Sequence, residues 1–170
     1  MEILDLTIAQ LIPLLVFQLL LTIGYGAYLS LKAIPLPLPT ISESYYQLKL
    51  TNSHHMFVLY MLLLGVPFLL YQSPWFFIGG VMFIGTGVTI KGKDIVPLTD
   101  DLHSTMAITG IGACLIGLLS WGVLWPVLLM VILALTLFLY GGKHTLWWIE
   151  IGAICCIGAG IVEKMYRMLG

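Results

Sequence analysis

Long runs of apolar residues alternate with short polar interruptions along the whole chain. A transmembrane helix needs about 20 mainly apolar residues to cross a hydrocarbon core about 30 Å thick. Cutting the sequence at its polar interruptions leaves six segments of roughly that length, at residues 6–31, 55–72, 74–91, 103–121, 124–141 and 144–164. We therefore predict an all-α membrane protein, a six-transmembrane-helix bundle that forms a single domain over residues 1–170.

The connections between these segments are of two kinds. Two of them, YQSP and SWGVLW, are short and carry no charge. The other three, at residues 32–54, 91–101 and 141–144, contain most of the polar side chains. Because consecutive helices of such a bundle alternate in direction, all three polar connections are expected on one side of the membrane. We call this the polar side, and the opposite one the plain side.

Composition agrees with a membrane protein and excludes other classes. The chain is 60% hydrophobic and only 9% charged, whereas a soluble domain has about 25% charged residues. Its net charge of −1 provides no basic patch for a nucleic acid. The segment MEILD is acidic, unlike the basic start of a signal peptide, so we expect the first segment to stay as a helix. The expected partners are membrane lipids, with a membrane protein or a second copy as alternatives.

All four histidines fall on the polar side. His54 and His55 precede or open the second segment, His103 opens the fourth and His144 opens the sixth. Convergence of these three helix starts would bring imidazoles together, and imidazole and carboxylate are ordinary zinc ligands. The alternative is that each histidine is hydrated separately at the membrane boundary. No close His-x-x-x-His spacing occurs, so we predict no cofactor, with zinc as the alternative.

Glu150 and Asp100 are two of the acidic candidates for a polar site. Glu150 lies about 9 Å beyond His144 along the sixth segment, at 1.5 Å per residue. An ionisable group in hydrocarbon costs roughly 2.5–3.5 kcal/mol, so it should face the protein interior or a water-filled cavity. It is either a functional group or a hydrogen-bond partner of a neighbouring helix, with Gln18, Thr105 and Thr109 available. Asp100 either caps the fourth segment or orients the His103 ring.

Small residues recur at four-residue spacing in the fourth and sixth segments, as in Gly110 and Cys114, and in Gly152, Cys156 and Gly160. Such spacing lets membrane helices approach closely. We therefore expect these two segments to pack tightly against each other.

Two short motifs resemble a known family. Pro39, Ile41, Ser42 and Glu43 resemble the Pro-x-Ile-Ser-acid signature that follows the first helix in the Frag/DRAM/Sfk family. The stretch through Ser44, Tyr45 and Tyr46 is more similar to small bacterial and phage six-helix membrane proteins with a SISxSYY motif, which also carry the Leu-His-x-x-x-Ala pattern of Leu102, His103 and Ala107. The eukaryotic pattern has Gly-Thr after the acid, where this chain has Ser44 and Tyr45. The resemblance implies a six-helix fold and a site that pairs the first loop with the fourth helix.

The same resemblance implies that residues 39–46 fold back onto the start of the fourth helix. Members of the broader family are related to lipid or GPI-anchor remodelling, but the motifs imply no reaction. The candidate polar site then consists of six side chains, Ser42, Glu43, Tyr46, Asp100, His103 and Glu150.

Orientation has two opposing indications. Five lysines lie on the polar side, whereas the plain side has Lys164 and Arg167, and the positive-inside rule would place the polar side in the cytoplasm. The family resemblance would place the first loop outside. Both orientations stay open.

Three functions fit the sequence. The first is a non-enzymatic module that binds a lipid or a partner at a polar site on one membrane face. The second is an intramembrane metal-dependent lipid hydrolase. The third, a transporter or channel, is disfavoured because paired discontinuous helices are absent from the sequence pattern.

Overall fold

The computed structural model describes residues 8–71, 73–89 and 98–169. This part of the chain contains seven α-helices and no β-strand. In chain order the helices are α1 (Ile8–Leu31), α2 (Glu43–Lys49), α3 (His55–Leu70), α4 (Pro74–Thr89), α5 (Leu98–Ser120), α6 (Trp125–Tyr140) and α7 (Thr145–Leu169). Stretches within α1, α5 and α7 are long and apolar enough to cross a membrane, and α3, α4 and α6 are apolar but 16 residues long.

The six long helices correspond to the six predicted segments, and the all-helical prediction is confirmed for the described residues. Helix α5 begins at Leu98, so His103 lies in its second turn rather than at its start. The prediction began this helix too late because it assigned two aspartates to the connection, although acidic residues suit the first turn of a helix. The predicted helix ends at 72 and 91, and the 91–97 connection, lie outside the described residues.

Helix α7 continues to Leu169, beyond the predicted end at residue 164. Charged residues ended the apolar segment without ending the helix. An ion pair between Glu163 and Arg167, one turn apart, supports the added turn.

Helix α2 was not predicted. It lies within the connection between α1 and α3, residues 32–54, which we call loop one. Ser44, Tyr45 and Leu48 form its buried face, and Tyr46 and Gln47 between them are half-buried. Seven residues are too few to stand out as a periodic pattern in sequence, and the helix is stable because that face packs on the bundle.

Contacts place the helix ends at two ends of the bundle, for which we keep the names plain side and polar side. On the plain side, the Tyr71 and Trp121 rings lie 6.3 Å apart, and the Arg167 guanidinium donates to the Gly122 carbonyl at 3.0 Å. On the polar side, loop one contacts the second turn of α5 and the first turn of α7.

The closest helix pairs are α3 with α4 and α4 with α5. A Cβ atom added at Gly65 would lie 2.7 Å from the Gly80 carbonyl oxygen, so these glycines allow α3 and α4 to touch through their backbones. The expected tight pairing of α5 with α7 is present only in part. The two helices touch, and a Cβ added at Gly160 would lie 2.6 Å from Leu118, but α5 packs more closely on α4. Gly110 of α5 faces Met82 and Phe83 of α4 instead, because α4 lies between α3 and α5 and takes up this small-residue face.

Candidate functional site

Loop one is fastened to α7 by two hydrogen bonds from main-chain groups. The Trp147 amide donates to the Pro39 carbonyl at 3.0 Å, and the Ile41 amide donates to Glu150 Oε2 at 2.5 Å. Prolines at 35, 37 and 39 keep this stretch out of a helix and remove its own amide donors. Its remaining polar groups must therefore find partners elsewhere, and α7 provides them.

The bond from Ile41 gives Glu150 a specific role. Its carboxylate is half-buried within α7 and accepts from the residue immediately before Ser42. Of the alternatives from sequence, neither Gln18 nor a threonine of α5 is this partner. Gln18 is instead bonded to the Leu64 carbonyl and to the Tyr71 hydroxyl. Glu150 thus fixes the backbone that presents Ser42.

Ser42 and His103 are directly bonded to each other. The Ser42 Oγ lies 2.8 Å from His103 Nε2, although the two residues are 61 positions apart in sequence. The contact between loop one and the fourth long helix, which the family resemblance implied, is therefore present. His103 is buried and Ser42 is half-buried, so the pair lies at the edge of the core rather than in open solvent.

The other ring nitrogen defines the direction of this bond. His103 Nδ1 lies 2.9 Å from the carbonyl oxygen of Thr86 in α4. A carbonyl oxygen can only accept, so Nδ1 carries a hydrogen and donates it. In the neutral imidazole Nε2 is then unprotonated and accepts from the Ser42 hydroxyl. This is the tautomer in which a histidine can take a proton from a serine.

The position of Ser42 in α2 is also informative. Ser42 occupies the N-cap position, where a serine hydroxyl commonly accepts a bond from the first turn. Among the residues that the structure describes, its side chain makes no such capping bond. Its backbone dihedrals, φ −61° and ψ −27°, are already helical. The hydroxyl is therefore directed to His103 and not to the helix it precedes.

The buried face of α2 holds this arrangement against the bundle. Ser44 Oγ donates to the Ile41 carbonyl at 2.6 Å, and the Tyr25 hydroxyl of α1 donates to Ser44 Oγ at 2.6 Å. The Tyr25 ring stacks on Tyr60 of α3, with ring centroids 4.2 Å apart. Ser42 is thus anchored from both directions along the chain, through Ile41 and through Ser44.

A small cavity and a larger apolar cleft lie next to each other beside Ser42. The cavity, about 50 Å³, has Ser42, Thr86, Tyr60 and Glu150 among its walls. The cleft, about 390 Å³, lies between α1, α3 and α7 and is lined almost entirely by hydrocarbon. The two spaces have four walls in common, Leu64, Phe83, Ile154 and Ile157. The cleft between α1 and α7 therefore adjoins the cavity that Ser42 borders.

Other residues of the predicted polar site are placed differently. Glu43 is half-buried in the first turn of α2, and its carboxylate bonds to none of the described residues. Tyr46 packs edge-on against Tyr45. Asp100 lies in the first turn of α5, and the role proposed for its side chain stays a prediction.

The four histidines are not gathered into one cluster. His54 and His55 lie beside each other near Tyr45, with the two imidazoles 6.2 Å apart, and His144 precedes α7. Within residues 8–71, 73–89 and 98–169, no group of three or more His, Cys, Asp or Glu side chains could hold a metal ion. His103 is bonded to Ser42 and Thr86 instead.

Sequence reasoning missed the part that α4 plays in the site. Thr86 provides the carbonyl that orients His103, and the Thr89 hydroxyl lies 3.5 Å from the same Nδ1 atom. A backbone carbonyl carries no signal in the sequence.

Comparison with protein-family models, curated proteins and solved structures finds no match for this chain.

Proposed function

We propose that this chain is a multipass integral membrane protein in which all six long helices cross the bilayer, and that it binds a membrane lipid in the cleft between α1 and α7. The observation that supports lipid binding best is that two spaces adjoin each other. A hydrocarbon-lined cleft with exposed side chains at its rim lies next to a smaller cavity whose walls include Ser42, Thr86 and Glu150. An amphipathic ligand with a long chain and a polar end fits such an arrangement.

The surface of α6 supports six spans. Eight of its large apolar side chains are exposed: Trp125, Leu128, Leu129, Val131, Ile132, Leu135, Phe138 and Leu139. Soluble proteins rarely expose a continuous apolar surface of this size. At 1.5 Å per residue, the 16-residue helices are about 24 Å long, a few ångströms less than a typical core. Local thinning of the bilayer accommodates such a mismatch at modest cost.

The cleft favours an acyl chain over a soluble ligand. Leu19 and Ile23 of α1 and Val162 of α7 line it and are also exposed on the outer surface. In a bilayer these residues would face lipid tails, so a chain could enter sideways without crossing water. Ser42 and Glu150 would then meet the polar end of the same molecule.

The cleft can be filled without disturbing the rest of the bundle. Gly158 lines the cleft, and a Cβ added there would have no neighbour within 4 Å. Gly112 of α5 is equally open but does not line the cleft. We expect Gly158→Leu to abolish retention of lipid by the chain, and Gly112→Leu to leave it unchanged.

Retention is measured by native mass spectrometry of the full chain after washing in detergent, which removes loosely attached lipid. The wild-type chain should keep one phospholipid. A wild-type chain without lipid, or a Gly158→Leu chain that keeps as much as Gly112→Leu, would refute lipid binding in the cleft. Labelling of single cysteines placed at each helix end, in a chain without its native cysteines, tests the six spans.

A further inference from the structure

We infer that Ser42 and His103 form a nucleophile and base that hydrolyse a carboxylic ester of the lipid bound in the cleft. This inference rests on the proposed lipid binding and adds a reaction to it. It requires no metal ion, unlike the hydrolase considered from the sequence. The two atoms that would exchange the proton, Ser42 Oγ and His103 Nε2, are already 2.8 Å apart.

The first argument concerns the protonation state of the pair. A serine hydroxyl is a weak nucleophile until an adjacent base removes its proton. The Thr86 carbonyl holds the Nδ1 hydrogen of His103, which leaves Nε2 as the acceptor. The same carbonyl also stabilises the imidazolium that forms when Nε2 takes the serine proton. Thr86 therefore has the orienting role of the third group in a catalytic triad.

The second argument concerns what else the pair could do. A serine–histidine bond that only links two segments would not require the hydroxyl to border an empty space. Here Ser42 and Thr86 both line the cavity that adjoins the cleft. At about 50 Å³, this cavity also exceeds the roughly 10–15 Å³ that a water molecule needs. Space for the second reactant therefore adjoins the nucleophile.

The position of the pair also fits an ester. Loop one lies on the polar side, at the ends of α5 and α7, while the cleft extends along the apolar parts of α1 and α7. In membrane lipids an ester carbonyl joins the polar end to the hydrocarbon chain. A chain in the cleft would therefore bring its ester towards Ser42.

The reaction balances with water as the only co-reactant. Ser42 Oγ bonds to the ester carbonyl carbon while its proton passes to His103 Nε2. The bond from that carbon to the alcohol oxygen breaks, and the alcohol leaves with the proton from Nε2. Water then attacks the carbonyl carbon of the acyl-serine and gives a proton to His103 Nε2. The bond from that carbon to Ser42 Oγ breaks, Oγ takes the proton from Nε2, and the fatty acid departs.

A fluorophosphonate probe tests the pair directly in the full chain in lipid nanodiscs. The activated serine displaces fluoride from phosphorus, and mass spectrometry of peptides locates the adduct. We expect the adduct on Ser42 of the wild type and none in Ser42→Ala. In His103→Gln the labelling rate should fall by about 10²–10⁴-fold, since a general base is lost. Ser104→Ala, which removes an exposed serine beside His103, should be labelled as fast as the wild type.

Fatty-acid release provides the second measurement. A phospholipid with an ester-linked chain should be cleaved by the wild type, while its ether-linked analogue should be retained intact. An adduct on another serine only, no adduct at all, or equal rates for the wild type and a folded His103→Gln would overturn the inference. If that variant fails to fold, two measurements on the wild type test the inference. The adduct must lie on Ser42, and the ester-linked lipid must be cleaved while the ether-linked analogue is not.

The two proposals fail in different ways. Retention of a lipid that depends on Gly158, without modification of Ser42, would overturn the hydrolase and leave lipid binding in place. Modification of Ser42 without any retained lipid would overturn the lipid substrate named here, and with it the proposed function.

Discussion

The bundle has a closely packed part and an open part, and the candidate site lies where they meet. In the packed part, α3, α4 and α5 touch through glycine backbones, and an aromatic cluster formed by Phe68, Tyr71, Phe76, Phe83 and Trp121 closes its plain side. In the open part, α1 and α7 line a cleft of about 390 Å³. Thr86 and His103 belong to the packed part, whereas Glu150 belongs to the open part.

The two parts therefore suit two tasks, orienting the base and admitting the ligand. A base that must keep one tautomer needs a rigid partner, and the Thr86 carbonyl is part of a helix packed on both sides. A ligand that must enter sideways needs helices with space between them. If the comparison holds, substitutions in the packed part should cost global stability, and substitutions in the open part should change ligand retention or local opening.

The largest loss of stability is expected in the aromatic cluster. Phe76 is 0% exposed and lies 4.5 Å from Trp121 and 5.5 Å from Tyr71, between ring centroids. Phe76→Ala would leave a cavity, and such changes cost about 3–5 kcal/mol. The neighbouring Phe77 is 53% exposed, so Phe77→Ala is the matched control.

Thermal unfolding of the two variants in the same detergent measures this effect. We expect Phe76→Ala to melt well below the wild type and Phe77→Ala to melt close to it. Equal melting temperatures for the two variants would show that the packed part does not dominate stability.

The next largest effect is expected where α3 meets α4. A Cβ at Gly80 would lie 2.7 Å from the Gly65 carbonyl oxygen, closer than real Cβ contacts come. Gly80→Ala should therefore push the helices apart, and such overpacking costs about 1–3 kcal/mol. Gly24→Ala in α1 adds the same methyl group where nothing lies within 4 Å.

In thermal unfolding Gly80→Ala should be less stable than Gly24→Ala, and fluorophosphonate labelling of Ser42 should also slow if α4 carries the Thr86 carbonyl out of place. A Gly80→Ala chain as stable as Gly24→Ala would contradict the close contact of α3 and α4.

The sequence was most informative about long apolar segments and the side on which polar residues gather. Six apolar runs marked six helices because hydrocarbon content and length are properties of the sequence itself. The alternation of plain and polar connections predicted that loop one, α5 and α7 meet at one side. There the bond between Ser42 and His103 joins loop one to α5, and the bond from Ile41 to Glu150 joins it to α7.

Helix pairing and backbone partners could not be predicted in the same way. The spacing of Gly110 and Cys114 indicated that another helix packs closely on this face of α5, but not which one. That helix is α4 and not α7. The bonds from Thr86 and Ile41 involve main-chain atoms, which every residue has. Helix α2 stayed hidden because seven residues form a stable helix only when packing supplies the stabilisation.

The smallest predicted effect separates the role of Glu150 from general stability. Its carboxylate accepts from the Ile41 amide at the edge of the open part, where water could replace it if the side chain were removed. Glu150→Ala should therefore cost only about 1 kcal/mol of local stability, near the middle of the range for a hydrogen bond, and speed hydrogen exchange at Ile41 about fivefold. Glu150→Gln keeps an acceptor oxygen and should exchange more slowly than Glu150→Ala. Glu163→Ala, at the other end of α7, should leave the exchange of the Ile41 amide unchanged.

Hydrogen exchange followed by mass spectrometry of a loop-one peptide measures all three variants. If Glu150→Ala left the exchange of Ile41 as slow as in the wild type, loop one would be held by its packing on α1 and α3, and Glu150 would be left for the ligand alone.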